Sequence, residues 1–238
     1  MSEWIDDSVY PGTDVLVNKL GIRDQATLTR VENRLVQDAE RALRLADNEL
    51  LTPAAVAKTH GELFGDLYEW AGKHRTVNIS KGGTHFLPAD RIGSGLTFVI
   101  DELRRAVPPT VLKDIEAVSR EDASAAAAQL ARLLARPVAE LNYVHPFREG
   151  NGRVVRAYVD QIAGRAGLRL DAARIERLPW NWASKVSAAD PSQTLGIKNQ
   201  LRDALVPRER QRQRQADRPG PPGRDAGRAQ GPEDSLDC

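Results

Sequence analysis

Two stretches with the apolar spacing of helices flank a short polar segment, and this arrangement constrains the fold more than any other feature of the chain. Between residues 121 and 144 apolar side chains recur at helical spacing, and the same period resumes at Val154 and continues to Ile162. The intervening segment, residues 145–153, contains a Gly-Asn-Gly triplet that favours a turn. The sequence therefore predicts a loop that joins two helices of a mainly helical domain.

The loop carries the residue types that bind an anion. Gly150 and Gly152 have no side chain to block close approach, so the backbone from Gly150 to Gly152 can turn its N–H groups toward a phosphate where the next helix begins. Arg153 and Arg156 are three residues apart and point from nearly the same side of that helix. Because basic residues oppose the helix dipole at its N-terminal end, two arginines there indicate a bound anion.

Two further residues of the loop have functional interpretations. Glu149 would repel a phosphate unless a divalent metal lay between them, and Mg²⁺ prefers one or two carboxylates together with phosphate oxygens. His145 is the titratable base of the loop near neutral pH. Gly-Asn-Gly alone is a common turn and a lone histidine is more often structural, but the combination of all these residues favours a phosphate-handling site.

The segment 145–156 reads HPFREGNGRVVR and resembles the signature H-x-F-x-[D/E]-G-N-G-R-x-x-R of Fic domains, which transfer AMP from ATP to protein hydroxyls. The resemblance implies a mainly α Fic fold, a helical bundle with one β-hairpin flap over the active-site loop. It also implies that His145 is the general base, Phe147 anchors the loop in the core, and Glu149 holds Mg²⁺ with ATP as substrate. Phosphate would be held by Gly150, Asn151 and Gly152, with Arg153 and Arg156 on the β and γ groups.

A β-hairpin is predicted over residues 75–88, with strands on either side of Lys81-Gly82-Gly83. Residues 70–83 are similar to the Fic flap, whose edge pairs with the backbone of a target and brings its hydroxyl beside the motif histidine. The resemblance implies that Lys81 and Gly82 close over the nucleotide; a solvated hairpin tip is the alternative for Lys81. The implied target-docking residues are Val77, Asn78, Ile79, Ser80 and Lys81.

The rest of the chain is predicted to be helical. A helix is expected over residues 24–47, and Thr52 and Pro53 are typical of the cap and first residue of another, which runs toward Trp70. His60 and His74 have no partners at metal-ligand spacing and are interpreted as structural or surface residues. Further helices are expected over residues 91–107, after 108–109, from a capping box at 119–122 to the motif, from about 170, from about 179 and over 190–205.

The chain of 238 residues, 41% hydrophobic and 28% charged, fits one domain over residues 1–206 with an N-terminal arm over 1–23. Residues 207–238 are rich in arginine, proline and glycine and are predicted to be disordered. A net charge of +1 gives no argument for a nucleic-acid or membrane partner. Because the single cysteine is Cys238 and the N-terminus lacks a signal-peptide pattern, we expect a cytoplasmic bacterial protein; secretion as an effector stays open.

The resemblance implies a protein adenylyltransferase that transfers AMP from ATP to a tyrosine, serine or threonine hydroxyl and releases pyrophosphate. The N-terminal arm is similar to that of Fic domains in type IV secretion effectors and toxin–antitoxin pairs, and a type II topoisomerase subunit is a plausible target. The alternative is a protein-binding module that retains the fold but has lost or changed the reaction. Since every functional position of the motif is filled, the enzyme is favoured.

Regulation is the last expectation. Fic domains are commonly silenced by a helix with the pattern [S/T]-x-x-x-E-[G/N], whose glutamate pairs with the second arginine of the motif, here Arg156. Glu32 and Asn33 match the end of that pattern, but Leu28 stands where Ser or Thr is required, and Asp203 near the C-terminal end of the domain is followed by Ala. We therefore expect inhibition in trans, by a small antitoxin.

Overall fold

The computed structural model describes residues 8–190 and 192–208, so the predictions for the first seven residues and for a disordered tail over 209–238 lie outside the described residues. The helices of the described chain are α1 Gln25–Ala42, α2 Asp47–Leu50, α3 Pro53–Phe64, α4 Ile92–Ala106, α5 Pro109–Glu121, α6 Ala123–Val144, α7 Asn151–Arg165, α8 Arg177–Ala189 and α9 Leu195–Ala204. The strands are β1 Ser80–Lys81, β2 Thr84–His85, β3 Leu168–Leu170 and β4 Leu205–Pro207, with 3₁₀ turns at Ala89–Arg91 and Ala172–Arg174. The prediction of a mainly helical fold is confirmed.

Helix α6 lies at the centre of the domain and ends at the motif loop. It packs against α4, α5, α7, α8 and α9, and its buried alanines, among them Ala126, Ala127 and Ala131, let neighbouring helices approach closely. Helix α7 leaves the loop and packs against α3 and β3. The core therefore fixes both ends of residues 145–153. In the described part of the chain, no helix combines the length and the apolar character needed to cross a membrane.

Side-chain caps set the helix starts where the sequence places capping residues. The carboxylate of Asp24 accepts from the Thr27 N–H at 2.8 Å, and the Thr52 hydroxyl accepts from the Ala55 N–H at 3.2 Å, with Pro53 in the first helical position. Helix α6 differs in detail from the expected capping box over 119–122. Asp122 alone caps it, through the Ala125 N–H at 2.9 Å, because residues 119–121 still belong to α5.

The ends of three predicted elements are corrected. The helix predicted from residue 52 toward Trp70 stops at Phe64 and continues only as turns. The helix predicted over 190–205 starts at Leu195, because the Asp190 carboxylate holds the Ser192 N–H and hydroxyl in a local turn. Pro207, assigned to the tail on composition, ends strand β4, and the Arg208 N–H donates to the Gly167 carbonyl at 3.0 Å.

The hairpin is present but shorter than predicted over 75–88. Ser80 pairs with His85 and Lys81 with Thr84, and both glycines of the turn have positive φ, 55° for Gly82 and 81° for Gly83. Two positive φ angles in a two-residue loop match the twist of a hairpin, so the predicted Gly-Gly turn is correct. The sequence did not predict the β3–β4 pair, because strands of three residues are too short to show an alternating pattern.

Candidate active site

His145 closes helix α6 in a conformation that few residues adopt. Its φ is 46° and its ψ 60°, which makes it the one non-glycine residue with positive φ among those described, and its N–H donates to the Leu141 carbonyl at 3.1 Å. The Nδ1 atom lies 3.1 Å from the Asn142 carbonyl, and a carbonyl can only accept, so Nδ1 carries the proton. The lone pair of the imidazole is therefore on Nε2, which has no hydrogen-bond partner among the described residues.

The surroundings keep this imidazole neutral. Burial lowers the pKa of His145 to about 4, only partly opposed by the Asn142 carbonyl and the Glu149 carboxylate, which favour the protonated ring. The ring of Phe86, just after β2, stacks on the imidazole with 3.8 Å between centroids and 11° between planes. At neutral pH His145 therefore presents an unprotonated Nε2 that can accept a proton.

The loop is braced from within by Asn151, the first residue of α7. Its Oδ1 accepts from the Phe147 N–H at 2.9 Å and its Nδ2 donates to the Phe147 carbonyl at 2.8 Å. Phe147 itself is fully buried, with its ring 4.0 Å from that of His60. Since both polar atoms of the Asn151 amide are bound to the Phe147 backbone, the contribution of this residue to phosphate binding would come from its own backbone N–H.

Glycine is required at the start of α7. Gly150 has φ 80°, and a Cβ there would lie 2.4 Å from the ring of Phe64. Its carbonyl accepts from the N–H groups of Arg153 and Val154, both at 3.0 Å, and no side chain caps the helix. Within residues 8–190 and 192–208, the N–H groups of Asn151 and Gly152 have no acceptor. This helix end is thus an open anion site.

The two arginines of the motif have different partners. Arg153 Nη2 lies 2.5 Å from Glu32 Oε1 on α1 and 4.0 Å from Glu149 Oε1, and its guanidinium sits 4.8 Å above the Phe64 ring. The second oxygen of Glu32 accepts from the Tyr68 hydroxyl at 2.5 Å. No local pattern in the sequence predicts this contact, since Glu32 matches only the end of an incomplete inhibitory pattern.

Arg156 is held differently. Its guanidinium forms no hydrogen bond or ion pair within the described residues, and burial lowers its pKa while Glu40 opposes that shift. It lines a cleft of about 440 Å³ together with Glu40, Asp160 and residues of the β3 region. A half-buried guanidinium with no hydrogen bond or ion pair is costly, and the nearby Glu40 carboxylate offsets that cost only in part. Arg156 is therefore prepared for a phosphate or a carboxylate.

His60 is a structural residue, one of the two interpretations that the sequence allowed. It is fully buried, its Nδ1 accepts from the Gly72 N–H at 2.8 Å, and its Nε2 donates to the Glu149 carbonyl at 3.2 Å. Burial lowers its pKa to about 4. His60 thus ties the motif loop to the turn that leads into the hairpin.

Glu149 is the residue of the loop that could hold a metal. Its side chain is 47% exposed, beside a cavity of about 210 Å³ that Asp14 and Glu32 also line. The described residues contain no cluster of three or more potential metal ligands. One accessible carboxylate next to an anion site suits Mg²⁺, which takes its remaining ligands from phosphate and water.

The hairpin lies over the site with its outer edge accessible. Among the implied docking residues, Val77, Ser80 and Lys81 are exposed and Ile79 is half-buried, whereas the Asn78 side chain accepts from the Ala89 N–H at 2.9 Å. Helix α8 reaches the tip, since a Cβ on Gly82 would lie 2.9 Å from Lys185 Nζ. Lys185 is a basic residue near the flap that the sequence reasoning missed.

Comparison with known proteins identifies the family. The model of the Fic/DOC family matches residues 50–163. The probable protein adenylyltransferase Fic of Escherichia coli is 30% identical over 187 residues, which are 77% of this chain and 84% of that protein. The protein adenylyltransferase VbhT of Bartonella schoenbuchensis is 35% identical over 180 residues, 75% of this chain.

The chain belongs to the Fic/DOC family. It spans about a third, 35%, of the length of VbhT, so its likeness to that protein concerns the Fic domain alone. Solved structures agree on the fold: the BepC effector of Bartonella tribocorum with bound AMPPNP superposes with a TM-score of 0.67 at 22% identity, covering 85% of this chain and 97% of that one. The expected Fic fold is thereby confirmed.

Proposed function

We propose that this Fic domain is a protein adenylyltransferase, which transfers AMP from ATP to a tyrosine, serine or threonine hydroxyl of a target protein and releases pyrophosphate. The observation that carries the proposal is the free Nε2 of a neutral His145 beside the open N-terminus of α7. The relatives named protein adenylyltransferase support it. A binding module that had lost the reaction would have no need of an unpaired imidazole nitrogen.

The reaction follows from the positions of these groups. The triphosphate would rest on the N–H groups of Asn151 and Gly152, with Arg153 and Arg156 on its β and γ groups. Mg²⁺ held by Glu149 would neutralise part of the phosphate charge. His145 Nε2 takes the proton of the target hydroxyl, whose oxygen attacks the α-phosphorus; the bond from the α-phosphorus to the bridging oxygen breaks and pyrophosphate leaves.

The flap supplies the target to this reaction. Its accessible edge, with Val77 through Lys81, would pair with an extended segment of the target through main-chain hydrogen bonds. Such pairing tolerates many sequences, so it would leave the choice of target to other contacts. Lys81 and Gly82, near the tip, would close over the nucleotide. A bacterial target in the cytoplasm, with a type II topoisomerase subunit as one example, is part of this proposal.

We place inhibition in a separate small antitoxin, which would make the chain the toxin of a pair. Glu32, the residue with the closest match to the inhibitory pattern, is bound to Arg153 and Tyr68. Arg156, which an inhibitory glutamate would bind, forms no hydrogen bond or ion pair with the described residues and lines an open cleft together with Glu40. A carboxylate from another protein can form a charge-assisted pair there and compete with a phosphate.

Labelling tests the proposal. The protein and a bacterial lysate are incubated with ATP labelled on the α-phosphate, and the labelled proteins are identified by mass spectrometry. We expect a mass increase of one AMP on a hydroxyl side chain, dependent on His145. Binding to a partner without any transfer of label would instead support the binding module.

A further inference from the structure

Arg75 occupies an unusual position between the flap and the motif loop. Its side chain is buried, only 5% exposed, and donates to four backbone carbonyls. Nε binds the carbonyl of His145 at 2.9 Å and Nη2 that of Val144 at 3.2 Å. On the flap side, Nη1 binds the Val77 carbonyl at 2.7 Å and Nη2 the Leu87 carbonyl at 2.5 Å.

This arrangement is costly in isolation. Arg75 forms no ion pair with any residue in the described ranges, so carbonyl dipoles alone stabilise its charge, and burial lowers the pKa of the guanidinium. Its own N–H donates to the Pro146 carbonyl at 2.9 Å, which adds a fifth bond to the same two segments. A buried charge whose hydrogen bonds all go to the backbone of two functional segments implies a role in how those segments are placed.

The hydrogen bonds of Arg75 reach both the motif loop and the residues of the flap that follow strand β2. The Leu87 carbonyl accepts from Arg75 while the Leu87 N–H donates to the Tyr143 carbonyl at 3.1 Å. This double attachment puts Phe86 flat against the imidazole of His145. On the other side, the bond to the His145 carbonyl holds a residue whose left-handed conformation is unfavourable by itself.

We propose that Arg75 is a positioning residue for the transfer reaction, which holds the backbone of His145 and the base of the flap in one fixed relation. The proposal rests on the proposed function. A target hydroxyl brought in by the flap edge then arrives within reach of Nε2. The planar guanidinium suits this role because its fork of donors can bind four carbonyls in fixed directions, whereas a lysine ammonium offers three donors from one point.

The test compares Arg75→Met and Arg75→Lys with a matched control. Arg165→Met is that control, because Arg165 is a partly buried arginine of α7 that also binds backbone carbonyls, those of Gln161 and Leu45, without contact to the flap.

We expect kcat for AMP transfer to fall about 100-fold in Arg75→Met, since small displacements of reacting groups cost that much, and about 10-fold in Arg75→Lys. The Kd for ATP, measured by calorimetry, should change by a smaller factor than kcat, because the α7 anion site is untouched and only the flap contact of Lys81 and Gly82 with the nucleotide is loosened. Arg165→Met should leave kcat within about 3-fold.

A double substitution separates positioning from general weakening of the fold. If Arg75 acts through His145, then Arg75→Met added to His145→Ala should lower the residual rate little further, because the group that it positions is already gone. A drop by the same factor in both backgrounds would overturn the proposal, as would unchanged kcat in Arg75→Lys. If Arg75→Met does not fold, Arg75→Lys is compared in the same two ways, with the wild-type protein and in the His145→Ala background.

Amide hydrogen exchange tests the role of Arg75 even if the wild-type protein transfers no AMP. Failure of the wild-type protein to transfer AMP would contradict the proposed function, whereas the role of Arg75 would still be tested by amide exchange in the folded variant. We expect faster exchange over residues 76–88 and 144–147 and unchanged exchange in α1. Unchanged exchange in the flap and loop would overturn the assignment of Arg75.

Discussion

The two sides of the motif loop differ in how completely their polar groups are paired. On the side facing the core, Asn151 and His60 use every hydrogen-bonding atom of their side chains within the protein. The other side, here called the cleft side, carries His145 and Arg156. His145 Nε2 has no hydrogen-bond partner among the described residues, and the Arg156 guanidinium lines the cleft without a hydrogen bond or ion pair to any of them. The core side determines the shape of the loop, and the cleft side is left to meet a substrate.

His60 and His145 show the same contrast between paired and unpaired polar groups. Both His60 and His145 have pKa values lowered to about 4 by burial, so the pKa does not distinguish them. The difference is that both nitrogens of His60 are hydrogen-bonded, whereas Nε2 of His145 has no partner in the described part of the chain. A lowered histidine pKa is thus no sign of catalysis by itself; the unpaired nitrogen beside an anion site is the informative feature.

The largest expected effect is on the cleft side. His145→Ala should lower AMP transfer from α-labelled ATP by ~10²–10⁴, the usual contribution of a general base, and leave the free energy of unfolding within about 1 kcal/mol of wild type. Rates are measured at saturating ATP, and stability by urea denaturation. Undiminished labelling by this variant would remove His145 from the mechanism.

Glu149→Ala should change the dependence on Mg²⁺ more than the fold. The carboxylate is half exposed and its loss leaves no buried group unpaired, so we expect near-wild-type stability and a Mg²⁺ requirement raised about tenfold or more. Transfer is measured across a Mg²⁺ titration at fixed ATP. Glu121→Ala, which removes an exposed glutamate at the end of α5, is the control. An identical Mg²⁺ dependence in both variants would exclude Glu149 as the metal ligand.

The core side should respond in the opposite way. Asn151→Ala leaves the Phe147 N–H and carbonyl unpaired in a buried place, and we expect the free energy of unfolding to fall by about 2–4 kcal/mol. Transfer should fall with it because the loop loses its brace. Asn142→Ala, which removes one bond of 3.3 Å to the Ser184 hydroxyl, is the milder comparison. A fully stable but inactive Asn151→Ala protein would place its side chain on the cleft side instead.

These contrasts also show where sequence reasoning stops. Local signals succeeded: Asp24 and Thr52 cap the helices that they were expected to cap, and the Gly82-Gly83 turn forms. The contacts of Glu32 with Arg153 and of Arg75 with His145 join residues far apart in the chain, and no local pattern marks them. The motif therefore predicts which residues form the site, whereas the packing of α1 and the flap determines how they are held.

Acid should weaken the fold through both histidines, although only His145 is proposed to act as the general base. Each has a folded pKa of about 4, below the ordinary value of the unfolded chain, so its contribution to stability is fully present above about pH 6.5 and is lost as pH falls toward 4. His60→Gln and His145→Ala should each flatten this slope by up to about 1.4 kcal/mol per pH unit. Urea denaturation at several pH values measures it. An unaltered slope in both variants would contradict the burial of these rings.

The smallest expected effect concerns Glu32, which lies between the two sides. Its carboxylate binds Arg153 and the Tyr68 hydroxyl, so Glu32→Gly should lower stability and reduce AMP transfer a few-fold by loosening Arg153. Glycine within α1 costs about 1 kcal/mol by itself, and Glu32→Ala controls for that. Both variants are assayed in the protein purified alone. Because Glu32 pairs with Arg153 and not with Arg156, the arginine that an inhibitory glutamate would bind, we expect no rise in activity. A rise of tenfold or more, ~1.4 kcal/mol of transition-state access, would place the inhibitor within this chain.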